Sequence, residues 1–204
     1  MKIAPELPIR EKDMNDSDLR SALELLKAGR DSDAFQFLLL SSNNGNPSAQ
    51  YILGILYATG NGVKEDFKMA VEYFTKAAEQ DIPEAQNDLG MCYYDGTGTK
   101  QNYMLANYWF GRAVKLGNAE AQLRLGNMYM AGCGIEKSPE KAVELFEKSA
   151  QGGNVDAQYN TAVAYETGDG VPQDLKKAAF WYEAAAKQGD KDSKRKLKAL
   201  KKLL

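Results

Sequence analysis

Two glycines, Gly60 and Gly62, stand directly before the helix-like run "VKEDFKMAVEYF" of this 204-residue chain. A glycine loop ahead of a helix N-terminus presents backbone N–H groups to phosphate, so nucleotide binding is the first chemistry this spacing suggests. Paired carboxylates are the second. Asp88 with Asp95, and Glu166 with Asp169, are spaced to meet near a helix end, as glycoside hydrolysis requires. Cys133, in "AGCGI", lies near a helix start, where N–H groups lower a thiol pKa. Residues 187–204 hold eight Lys/Arg against Asp190 and Asp192, a run that could meet anionic lipid or nucleic acid.

Composition removes several of these options. The chain has no histidine, and with it go the commonest general base and the most frequent zinc ligand. Its two cysteines, Cys92 and Cys133, show no Cys-x-x-Cys spacing, so neither a zinc site nor a disulfide framework is expected, and a reducing compartment fits. A net charge of -2 argues against general nucleic-acid binding. No apolar run is long enough to span a bilayer. The opening "MKIAPELPIREKDMNDSD" lacks the apolar stretch of a secretory signal, so a cytoplasmic location is expected as written; a signal removed earlier would make the chain periplasmic or secreted.

The glycine pair is not singular. It recurs as Gly96/Gly98, Gly132/Gly134 and Gly168/Gly170, in frame with the pair Ala-Gln at 49/50, 85/86, 121/122 and 157/158. Tyr57, Tyr93, Tyr129 and Tyr165 keep the same 36-residue period, as do Phe74, Phe110, Phe146 and Tyr182. Each unit reads as two helices. The first covers about 49–58 and ends at the glycine pair; the second starts at an N-cap, Asp66, Asn102, Ser138 or Asp174. Small residues Gly54, Gly90, Gly126 and Ala162 are expected to face small residues such as Ala70 or Ala106. The domain reading is a flexible lead-in at 1–15, a degenerate capping helix pair at 16–45, repeats at 46–83, 84–119, 120–155 and 156–191, and a basic capping helix at 192–204 whose stripe is Leu197, Leu200 and Leu204. Four equivalent loops whose middle residue varies, Asn61, Thr97, Cys133 and Asp169, read as turns rather than phosphate cradles.

The stretches "SAQYILGILYATGNGV" and "KKAAFWYEAAAKQGD" resemble the Sel1-like repeat family, relatives of the tetratricopeptide repeats, over residues 46–191. The resemblance implies an all-α, right-handed superhelical solenoid of helix-turn-helix repeats, with first helices lining a concave surface. It also implies an adaptor or scaffold, in bacteria among other settings, without catalysis or cofactor. Thr161-Ala162 in place of Leu-Gly and Thr99 in place of Val depart from the family pattern.

On a helical wheel the recurring residues occupy one side of each first helix, and the other side carries Tyr51, Ile55, Asn87, Met91, Tyr94, Leu123, Asn127, Met130, Tyr159, Val163 and Glu166. This face is unusually apolar, and it is read as the groove for a protein or peptide segment, with Asn87, Asn127 and Glu166 setting register. Two alternatives stand beside it: a protein that binds or hydrolyses cell-wall fragments, and a module that assembles with its own copies. Peripheral membrane contact through the basic C-terminal helix is a further option.

Overall fold

The computed structural model describes residues 7–202. Among them are eleven α-helices, one short 3-10 helix and no strand. After the 3-10 helix Glu11–Asn15 come α1 (Ser17–Lys27), α2 (Asp31–Asn43), α3 (Pro47–Thr59), α4 (Phe67–Glu79), α5 (Pro83–Asp95), α6 (Tyr103–Lys115), α7 (Ala119–Ala131), α8 (Pro139–Gln151), α9 (Val155–Thr167), α10 (Leu175–Lys187) and α11 (Lys191–Leu200). The chain divides into two compact units between Trp109 and Phe110, inside α6. The all-α helix-turn-helix architecture read from the period is what the structure has.

Local chemistry explains why the helices start and stop where they do. Asp66, Asn102 and Asp174 each accept two backbone N–H bonds from the first turn of α4, α6 and α10, and Ser138 accepts one from Lys141 in α8. At the other end, Gly60, Gly96, Gly132 and Gly168 take left-handed φ angles and close α3, α5, α7 and α9. The loop between is pinned the same way in all four repeats: the N-cap N–H donates to the carbonyl of Tyr57, Tyr93, Tyr129 or Tyr165 at 2.7–3.0 Å. The N-cap N–H and the first-turn N–H groups named above, which a phosphate at the helix start would use, are therefore engaged by the chain itself.

The second glycine of each pair solves a different problem. A Cβ on Gly62 would lie 2.5 Å from the backbone of Asp31, and one on Gly98 or Gly170 would run into the carbonyls of Phe67 and Pro139. In each case the loop lies against the first residue of the preceding second helix, so only a bare backbone fits. Within a hairpin the expected small-on-small approach is joined by an aromatic ring. Gly126 lies under the ring of Phe146, where a Cβ would come within 2.6 Å, and Gly54 lies under Phe74 in the same way. A Cβ on Gly126 would also lie 3.2 Å from the Ala142 carbonyl, so the glycine meets the small residue across the hairpin and admits an aromatic ring to the core.

Repeats are joined by buried glutamines. Gln50, Gln86 and Gln158 donate from α3, α5 and α9 to the carbonyls of Ser42, Ala78 and Ala150 in the last turn of the preceding second helix. Gln80 and Gln188 in turn donate to the side-chain oxygens of Gln50 and Gln158, at 2.7 and 2.9 Å.

The ends carry their own devices. Residues 1–15 read from sequence as a flexible lead-in, but from Leu7 onward the structure differs. Asp13 is buried and accepts bonds from Arg10 and from the Ser48 hydroxyl, while Arg10 also donates to the Gln80 carbonyl. Asp16 caps α1 and takes the Ser41 hydroxyl at 2.6 Å. Residues 1–6 lie outside the described residues. At the other end Leu200 is buried and Leu197 packs beside it against the cluster of Ala162, Tyr165, Ala178 and Tyr182. Leu204 lies outside the described residues.

These contacts set an ordering of glycine substitutions in the first unit. Gly45 has φ 86° and open space around it, so Gly45→Ala is expected to cost about 1 kcal/mol of backbone strain. Gly98→Ala adds a collision with a backbone carbonyl and is expected to cost about 3 kcal/mol. Urea unfolding of the two variants checks the order, and equal midpoints would sink the packing role given to the second glycine.

Candidate binding faces of the first helices

In the first unit, α3 carries no charged residue, and the charges of α5 are all acidic: Glu84, Asp88 and Asp95. Tyr51 is buried, with 7% of its surface exposed; its ring lies 5.8 Å from that of Phe74 and its hydroxyl donates to Asp88 Oδ2 at 3.0 Å. Burial and then the Asp88 charge push its pKa far up, so it stays a neutral donor. Asn87 is buried as well; its Nδ2 donates to Asp88 Oδ1 at 3.1 Å, and its Oδ1 has no partner. Ile55, Met91 and Tyr94 are half-buried, and the Tyr94 ring meets Tyr103 edge-on at 5.2 Å. Burial raises the pKa of Glu84. Burial, with Asp88 and Asp95 nearby, pushes the Cys92 thiol up to about 11, which leaves it unreactive at neutral pH.

In the second unit, Leu123 is buried in the cluster of Ala142 and Phe146. Tyr159 is half-buried with its ring 5.7 Å from Tyr182. A cleft of about 210 Å³ opens between α7 and α9. Met130, Phe146, Val163 and Ala164 supply its apolar lining, and Asn127, Asn160, Thr167 and Asp169 its polar lining. Asn160 Nδ2 donates to Asn127 Oδ1 at 3.4 Å, and the Thr167 hydroxyl donates to the Val163 carbonyl at 3.0 Å.

Of the wheel-derived set, the cleft gathers Asn127, Met130 and Val163. Tyr51, Asn87 and Leu123 instead form part of the packing beneath the first-helix faces, because a neighbouring element covers them. Glu166 is engaged elsewhere: it accepts the Tyr182 hydroxyl at 2.6 Å and the Lys196 ammonium at 3.0 Å, tying α9 to α10 and α11. Asn160, Thr167 and Asp169 were not picked out as groove residues from the sequence. The signal for Asp169 was present, since it is the variable middle residue of a glycine loop.

The carboxylate and thiol candidates do not assemble into chemistry. Asp88 is held by Tyr51 and Asn87, and Glu166 by Tyr182 and Lys196. The Cys133 N–H is spent on the Met128 carbonyl at 3.1 Å. Among the described residues there is no group of three or more metal-ligating side chains, and no helix is long and apolar enough to cross a membrane.

The Glu166 latch titrates. Burial raises its pKa, but the hydroxyl of Tyr182 and the ammonium of Lys196 outweigh that, and the net shift is downward. A depressed folded-state pKa contributes stability that is fully present above the unfolded value, about 4.3, and is lost as pH falls through the folded value. Glu166→Gln is therefore expected to cost about 1 kcal/mol at pH 7 and to shrink the loss of stability between pH 6 and pH 3. Urea midpoints across that range test it; an unchanged pH slope would show that the latch is not ionic.

The Sel1 repeat matches the chain over residues 47–82, 83–118, 119–154 and 155–190. A protective antigen of uropathogenic Escherichia coli with an SLR fold superposes with a TM-score of 0.87 at 29% identity, over 92% of this chain and 41% of that one. The chain thus spans about two fifths of that antigen's length. A Sel1 repeat protein from Oxalobacter formigenes superposes with a TM-score of 0.81 at 31% identity, over 90% of this chain and 76% of that one. An immunity protein from Pseudomonas aeruginosa shares the fold, with a TM-score of 0.54 at 24% identity, over 91% of this chain and 69% of that one. No curated protein matches the chain. Sel1 repeats commonly serve as scaffolds for protein interaction. With four tandem matches along 47–190, and a relative 31% identical across 90% of its length, this chain belongs to the Sel1 repeat family.

Proposed function

We propose that the chain is a non-catalytic adaptor whose first-helix faces bind a peptide segment or helix of another protein. The observation that carries this reading is the cleft beside α7 and α9, where Met130 and Val163 stand half-exposed and the apolar lining is interrupted by unpaired amide capacity. Apolar side chains left open beside polar groups mark binding surfaces rather than cores. Ile55, Met91 and Tyr94 offer the same character on α3 and α5 of the first unit, and Tyr159 on α9 of the second. Tyr51 and Leu123 act beneath them, holding the accessible side chains in place. Asn127, exposed at the cleft, sets register by hydrogen bonding, as amide groups in peptide grooves do.

The hydrolytic alternative asks for two carboxylates whose environments push their pKa values apart. Asp88 and Glu166, which it would recruit, serve Tyr51 on one side and the Lys196 latch on the other. That engagement favours the adaptor.

Val163→Lys and Met91→Lys place charge and bulk on the proposed surface; Val163 also packs beside the Ala162 cluster, so circular dichroism checks that its variant stays folded. Each is expected to weaken capture of a native partner at least tenfold, on the order of 1.4 kcal/mol. Glu72→Ala, on the outer side of α4, serves as the control. Quantitative affinity capture with the full chain reads the effect; recovery of the same partners by all three variants would exclude the first-helix faces as the binding surface.

A further inference from the structure

Resting on that reading, we infer that the cleft of the second unit is a pocket for one Lys or Arg side chain of the bound peptide. Its volume is the first argument. At about 210 Å³ it is smaller than the roughly 300–1,000 Å³ of small-molecule sites and suits a single long side chain. Its lining is the second. Met130, Val163, Ala164 and the Phe146 ring give apolar surface for an aliphatic stem, and Asp169 offers a carboxylate for the cationic head. Asp169 is exposed and has no ion pair among the described residues. Asn160 spends its Nδ2 on Asn127 and keeps its Oδ1 as a further acceptor. No Lys or Arg lines the cleft.

Charge distribution points the same way. On α7 and α9 the one base, Arg124, is tied to Glu120 at 2.5 Å and Glu166 is taken by Lys196, which leaves Asp156 with no ion pair among the described residues. The first unit repeats the preference independently. Its α3 has no charge and its α5 only acids, of which Asp95 is exposed. A partner crossing either face meets acceptors and negative charge, which select a basic segment and exclude an acidic one.

The test selects random peptides displayed on phage against the full chain, then measures synthetic versions of the enriched sequences. Enriched peptides are expected to share one Lys or Arg flanked by apolar residues. Replacing that residue by norleucine, which keeps the stem and removes the charge, should weaken binding roughly two- to fivefold, the range of a partly wet ion pair. In Asp169→Asn the same replacement should have no effect. Peptides that lose binding to Val163→Lys yet share no basic residue, or a norleucine penalty that persists in Asp169→Asn, would overturn the basic pocket and leave the groove intact. If no enriched peptide is sensitive to Val163→Lys, the groove reading fails and takes the pocket with it.

Discussion

A helix that ends inside a stack leaves its last carbonyls where water cannot reach them, and the repeats depend on how those carbonyls are met. Gln50, Gln86 and Gln158 meet them, each reaching back from a first helix to the end of the preceding second helix. An unsatisfied buried acceptor costs about 1–3 kcal/mol, so each glutamine holds one repeat against the previous one at a single register. Once that register is set, the loop glycines fall against the start of the preceding second helix, and the first-helix faces follow. The glutamines are buried because they act between repeats, which is why Ala-Gln is the most regular mark in the sequence.

The fourth repeat shows how one variation draws in others. Ala162 stands where Gly54 and Gly126 stand elsewhere, and the ring in the Phe74 and Phe146 position is there Tyr182. Its hydroxyl goes to Glu166, and the same carboxylate takes Lys196 of the terminal helix. What looks in the sequence like weakened family spacing is the point at which the last repeat is joined to its cap.

Period and punctuation made the helices legible. Caps such as Asp66 and Asp174, and closing glycines such as Gly60, act locally and leave local traces. The binding faces were legible only in part. A helical wheel separates one side of a helix from the other, but a first helix in an array touches its own partner, the second helix before it and the next first helix. Tyr51 projects away from its partner on the wheel and is still buried, because α5 brings Asp88 to its hydroxyl. Asp169 and Asn160 were missed for the opposite reason: one comes from a loop and the other from a variable phase, and neither belongs to the apolar pattern that guided the choice. The tie of Asp13 to Ser48 has no periodic signature at all, since it joins segments that no repeat relates.

That N-terminal tie also bears on the order in which the first unit assembles. Bonds between repeats, such as Gln86 to the Ala78 carbonyl or Gln158 to the Ala150 carbonyl, join residues 8 apart, and the bonds of Gln80 to Gln50 and Gln188 to Gln158 close single hairpins across 30 residues. The Arg10 bond to the Gln80 carbonyl spans 70 residues. Closing so long a segment of chain carries an entropic cost that nearest-neighbour contacts do not, and contacts of this kind slow folding. A chain emerging from the ribosome can tie Asp16 to Ser41 and Asp13 to Ser48 once α3 has begun, but its Arg10 bond must wait until α4 is complete.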